Sequence, residues 1–201
     1  YSYSRLMEKR SRLNESDTKL EKRVSADDRP QRFVISSHYE LPFGKGKRFG
    51  STLPAVANTV VGGWVLSGVY TRQSGAPVNW GNVIYLGGPL NWNSHNVDHT
   101  FNTTRFVTAS NSQLGSNIRA FPSRFNNLRQ DGSNTMDAAL LKNTQLTEHL
   151  RLQFRVEFFN VMNHPEFNGP DVNPTSSTFG QITSQANDIG RVGQLGIRLI
   201  W

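Results

Sequence analysis

Apolar and polar residues alternate most cleanly over residues 150–160, where Leu152, Phe154, Val156 and Phe158 are interleaved with Arg151, Gln153, Arg155 and Glu157. In an extended chain successive side chains point to opposite faces, so this segment is a strand with one apolar and one polar face. Its length suits the ~9–11 residues that a tilted strand needs to cross a bilayer. The same period recurs over the last ten residues. There Leu195, Ile197, Leu199 and Trp201 oppose Gln194, Gly196 and Arg198, with Ile200 as the exception. Weaker alternation predicts strands over about residues 1–7, 31–43, 64–75 and 135–145. In the second of these Phe33, Ile35, Tyr39 and Leu41 oppose Val34, Ser36, His38 and Glu40, and Pro42 ends the pairing. In the third, Leu66, Gly68 and Tyr70 oppose Val65, Ser67, Val69, Thr71 and Gln73. The pattern there does not choose an apolar face.

The connections sort by length. Residues 8–30 are charged with no apolar stripe and are expected to be a solvated loop. Residues 76–134 are rich in Gly, Asn, Ser and Pro, and carry Trp80, Tyr85, Trp92, Phe101, Phe106, Phe121 and Phe125. A loop of that length is unusual in a compact soluble domain. Residues 163–191 are a third long polar connection, whereas 44–63 and 147–149 are shorter. Long and short connections in alternation are the asymmetry of an outer-membrane barrel. The predicted fold is all-β and antiparallel: about six strands of a transmembrane β-barrel with long extracellular loops. One-sided strands also suit a soluble sheet. A soluble, carbohydrate-binding β-sandwich is therefore a second reading, and a structural or adhesive surface barrel without transport is a third.

Composition narrows this. Among 201 residues there is no cysteine, which excludes disulfides and thiolate metal sites. No apolar run approaches the ~18–20 residues of a membrane helix, and the mean hydropathy is -0.52. Neither counts against a barrel, in which only every second strand residue faces lipid. The net charge of +7 is spread along the chain, with no cluster denser than the three cations of Lys45-Gly46-Lys47-Arg48. A generic basic surface is expected, not a nucleic-acid site. The alternating run already under way at Tyr1, with no leader before it, points to a fragment of a longer polypeptide.

The closing strand resembles the insertion signal of bacterial outer-membrane barrels, its places filled by Gln194, Gly196, Leu199 and Trp201. More of the chain is similar to the last third of TonB-dependent outer-membrane receptors of the Oar-like subgroup, which carries a carboxypeptidase-regulatory-like domain. The similar segments are Glu40-Leu41-Pro42-Phe43-Gly44-Lys45-Gly46, Gly62-Gly63-Trp64-Val65-Leu66-Ser67-Gly68, Gln73-Ser74-Gly75, residues 151–160 with Asn163-His164-Pro165, and Phe179-Gly180-Gln181-Ile182. The resemblance implies a ~22-stranded barrel around a plug, with uptake of a bulky ligand driven by the TonB complex. Residues 1–201 would then be a partial barrel domain, with plug and TonB-contacting regions absent. The implied location is the Gram-negative outer membrane. The implied partners are its lipid, the barrel-assembly machinery, the TonB complex through the missing N-terminal part, and an unknown ligand.

Candidate chemistry is sparse. Arg151, Gln153, Arg155 and Glu157, with Arg198, would face the lumen, where they could dock a plug, line a ligand path or simply be solvated. Arg155 and Glu157 could pair. Trp80, Asn91, Trp92 and Asn93 combine indoles with amides, a platform for a sugar or chelate unless the loop packs on itself. His95 and His99 flank Asp98 without a third ligand, so no metal site is predicted. There is no nucleophile elbow or phosphate loop, and the chain is read as no enzyme, without a cofactor.

Overall fold

A computed structural model describes residues 1–186 and 190–201. Its main sheet holds β1 (Ser2–Tyr3), β4 (Gln31–Glu40), β5 (Trp64–Gln73), β6 (Ser133–Gln145), β7 (Arg151–Phe159) and β8 (Val192–Ile200). They are neighbours in the order β1-β4-β5-β6-β7-β8. The pairs with a defined register, β1–β4, β6–β7 and β7–β8, are antiparallel. Sequence order and spatial order coincide, as in an up-and-down meander. All six expected strands are present, although the first pairs over only two residues. The sheet is open, its edges being β1 and β8.

Register fixes the faces. Leu140, Val156 and Leu195 form one row across β6, β7 and β8, and Phe154 and Ile197 form the next with Lys142. On the opposite face Asn143, Gln153 and Arg198 line up, as do Ala139, Glu157 and Gln194. The face of β5 that alternation left open is settled by its neighbours. Lys142 Nζ stands 5.6 Å from the centre of the Trp64 ring, so Trp64 shares the apolar side of Lys142 and Phe154. The backbone N–H of Leu41 donates to Trp64 O at 2.9 Å, placing Leu41 beside it. On this side Leu195 and Ile197 are 73 % and 74 % exposed, and no residue of β4 is buried on either face. The soluble sandwich required Phe154 and Phe158 to pack inside a second sheet. Instead Phe158 is exposed, and the only other sheet among the described residues is two-stranded.

Gly63 shows why the Gly62-Gly63-Trp64 motif carries glycine. Its φ is +73°, and a Cβ there would stand 2.3 Å from Asn143 O in the neighbouring strand. Gly63→Ala is expected to cost about 1–3 kcal/mol through a strained φ and a pushed-apart β5–β6 pairing. Denaturant titration of the full-length protein in vesicles measures it.

By compactness the chain divides into two units. One comprises Val34–Thr71, Asn134–His164 and Ile189–Trp201 and holds most of the sheet. It also contains α1 (Ala55–Val61), a short helix within the 44–63 connection. Pro54 precedes it and Gly62 closes it, as expected of helix boundaries. The other unit comprises Tyr1–Phe33, Arg72–Ser133 and Pro165–Asp188. There the long connections fold on one another around their own core of Val78, Trp80, Val83, Phe101, Phe106, Phe121 and Leu128.

The expectation of a solvated loop over residues 8–30 is overturned. β2 (Met7–Glu8) pairs with β3 (Arg23–Val24), and Val24, Ser25 and Asp28 are buried. What holds this segment is charge. Glu8 accepts from Arg23 Nε at 2.9 Å and Arg124 Nη1 at 2.8 Å. Glu21 accepts from Arg23 and from the Ser123 hydroxyl and backbone N–H. Asp28, whose side chain is 0 % exposed, takes Arg129 Nη2 at 2.5 Å. No apolar stripe was needed because the carboxylates pair with Arg23 inside the segment and with Ser123, Arg124 and Arg129, which are far off in sequence.

Candidate functional site

The polar row of β7 is largely consumed by its own neighbours. Gln153 Nε2 donates to Asn143 Oδ1 at 2.9 Å. Arg155 pairs with Glu157, which also accepts from Gln194 Nε2 at 2.8 Å. These bonds tie β6, β7 and β8 side to side and occupy the groups that a ligand would have used. Arg151 is exposed, its Nε 3.3 Å from Gln145 Oε1. Arg198 is exposed and has no ion pair among the described residues. The cations open to a partner on this face are therefore Arg151 and Arg198, not the whole row.

In the loop unit the four residues singled out as a platform separate. Trp80 is 1 % exposed and is the centre of the core. It stacks on Phe106 at 5.4 Å and meets Phe101 and Phe121 edge-on, each at 5.1 Å. It presents no surface to a ligand. Asn93 is spent on a turn, its Oδ1 accepting from the His95 N–H at 3.1 Å. Trp92 and Asn91 stay together. The Trp92 ring lies parallel to Phe101 at 5.8 Å, and its Nε1 donates to Arg129 O at 3.0 Å. Asn91 is exposed with φ 50°, in the left-handed region that asparagine tolerates better than most residues.

Both line a pocket of about 430 Å³, within the range of small-molecule sites. Tyr85, Phe121 and Phe125 supply further ring surface, and Asn127 a second amide. No lining residue is charged. Arg129 organises the wall from behind: it holds Asp28, and its carbonyl fixes the Trp92 indole. Such a site can take a neutral molecule by apolar area, with a few hydrogen bonds setting orientation. Sequence reasoning missed Tyr85, Phe121, Phe125 and Asn127 as neighbours of Trp92. The aromatic density of residues 76–134 was the only signal, and it carries no pairing information.

His95 Nδ1 stands 3.7 Å from Asp131 Oδ1, and His99 is exposed. Among the described residues no three His, Asp or Glu side chains gather as metal ligands. No helix among them is long and apolar enough to cross a membrane, which says nothing about strands.

The charge clamp on residues 8–30 titrates. The Arg23 hydrogen bond beside Glu8, joined by Arg124, holds its carboxyl below the usual range. For Glu21, burial pushes upward but is outweighed by the Ser123 and Arg23 hydrogen bonds, and the net shift is downward. Carboxyls depressed in the folded state stabilise above the unfolded value of about 4.3, and that stability is lost as pH falls through the lower folded values. A spin label at the exposed Lys19 is thus expected to keep its mobility from pH 7 to 5 and to loosen below about pH 4. Loosening already between pH 7 and 5 would contradict the clamp.

A sheet with a membrane-length apolar face and an opposite polar face, and with long connections folded into a unit of their own, defines a transmembrane β-barrel segment. The chain belongs to the family described as the outer membrane beta barrel domain, whose model matches residues 1–194. The protein is accordingly an outer-membrane protein. Comparison with curated proteins and with solved structures gives no match.

Proposed function

We propose that the chain provides barrel strands and recognition loops of a TonB-dependent receptor of the Oar-like subgroup, which imports a bulky ligand. The observation that carries the receptor reading is the loop unit, with its own aromatic core and an open, uncharged pocket. Connections that merely joined strands would need neither. The TonB-dependent reading rests on the motif resemblance over residues 31–201, including Gly62-Gly63-Trp64 and Asn163-His164-Pro165. Six strands do not close a barrel, since ~8 is the smallest number that does. Further strands, a plug and the TonB-contacting segment would come from the rest of the polypeptide.

The test is association of the full-length protein, in detergent, with the periplasmic domain of TonB. Saturable binding, lost when the segment N-terminal to the barrel is deleted, is expected. A properly folded, heat-modifiable barrel that does not bind TonB would favour the structural or adhesive barrel instead.

A further inference from the structure

The connection between β4 and β5, residues 41–63, carries Lys45, Lys47 and Arg48 and no Asp or Glu. Within it α1 buries none of its residues. Val56 and Val60, one turn apart, are 83 % and 66 % exposed. Both polar side chains of the helix hydrogen-bond locally. The Thr59 hydroxyl donates to Ala55 O at 3.0 Å, and Asn58 Oδ1 accepts from the Lys45 N–H at 2.5 Å. What the helix presents outward is mainly apolar, Thr59 being the one exposed polar residue, and none of its residues is buried by the described residues. Phe43 and Phe49, 5.7 Å apart, are exposed beside it, and the Arg48 guanidinium stands 5.4 Å from the Phe49 ring centre.

The place of this helix is set by Trp64, whose Nε1 donates to Val60 O at 3.0 Å. Trp64 is on the apolar side of the sheet, under the Lys142 ammonium, which also bonds Gly62 O. An indole at the end of a membrane-facing strand, with a lysine reaching past it to a carbonyl, marks the water–lipid boundary. The end of α1 is hydrogen-bonded to that indole. Exposed valines on one side and unneutralised cations nearby are the features of a segment that lies in the interface plane. Of the three cations, Lys47 is engaged by Glu40 at 2.8 Å, which leaves Lys45 and Arg48 for an anionic partner.

We propose that residues 43–64 form an interfacial lipid anchor. The side of α1 bearing Val56 and Val60 enters the headgroup–acyl boundary of the leaflet on the short-connection side of the barrel. Lys45 and Arg48 meet lipid phosphates there. The inference rests on the barrel assignment and not on TonB dependence.

The probe is an environment-sensitive fluorophore on Val56→Cys in the full-length protein, with any cysteine outside residues 1–201 replaced by serine, refolded in phosphatidylethanolamine–phosphatidylglycerol vesicles. Val56 is exposed, so the change leaves packing intact, and heat-modifiable migration verifies folding. Lipids with a nitroxide near the headgroup are expected to quench it more than deep ones, with iodide largely excluded. Adding Lys45→Gln and Arg48→Gln is expected to raise iodide quenching at least twofold. Free access of iodide, protection from both quenchers as under a covering protein segment, or indifference to the two charge substitutions would each overturn the anchor. The same fluorophore at Leu195→Cys separates the assignments. Its quenching by nitroxide lipid upholds the barrel even where position 56 fails, and its failure removes the barrel itself.

Discussion

Val156→Arg lowers the stability of the folded, membrane-inserted protein by about 2–4 kcal/mol, the cost of a cation near the bilayer midplane on the lipid face of a barrel strand. Val156 is the middle residue of the Leu140–Val156–Leu195 row and lies next to Arg155, the midpoint of β7. A guanidinium there must either leave its hydration behind or thin the membrane around it. Denaturant titration of the full-length protein in vesicles, read by heat-modifiable migration, gives the number. Arg155→Gln is the control one residue along. It points to the other face, where Arg155 already pairs with Glu157, and changes stability by less than about 1 kcal/mol because such pairs are partly exposed. Equal effects at 155 and 156 would mean that the two faces of β7 see the same surroundings.

Trp80→Ala removes the largest side chain of the loop core and is expected to cost that unit about 3–5 kcal/mol. The ring touches Phe101, Phe106 and Phe121 at once, so no single neighbour can move in to fill the cavity. The expected readout is protease cutting within residues 76–132, with heat-modifiable migration retained. Loss of membrane insertion in this variant would mean that the loop unit and the strands do not have separate cores.

The strands were legible because alternation is local: residues 151–159 declare both faces without reference to the rest of the chain. On β5 the same reasoning stalled, since Val65 and Val69 compete with Trp64, Leu66 and Tyr70. Cross-strand contacts, Lys142 over Trp64 and Leu41 beside it, decided in favour of the Trp64 side. The loop unit was hidden for a different reason. Trp80 finds Phe106 and Phe121 across 26 and 41 positions of irregular chain, where no period announces a neighbour. Residues 8–30 misled because their partners are polar and distant: the Ser123 hydroxyl and the Arg124 and Arg129 guanidinium groups. A search for apolar stripes is blind to a segment held by ion pairs. Asn91 and Trp92 line a pocket while Trp80 is buried, because the burial that makes an indole a core anchor is set by contacts the sequence does not order.

The account stands on what covers the apolar side of the sheet, and oxygen accessibility of spin labels placed singly at positions 151–159 of the full-length protein in vesicles tests it. Accessibility to oxygen should peak at 152, 154, 156 and 158 and drop at the residues between, with a water-soluble nickel relaxant showing the opposite phase. Flat profiles, or even-numbered positions shielded from both reagents, would place protein and not hydrocarbon against Val156, and the barrel assignment would be wrong.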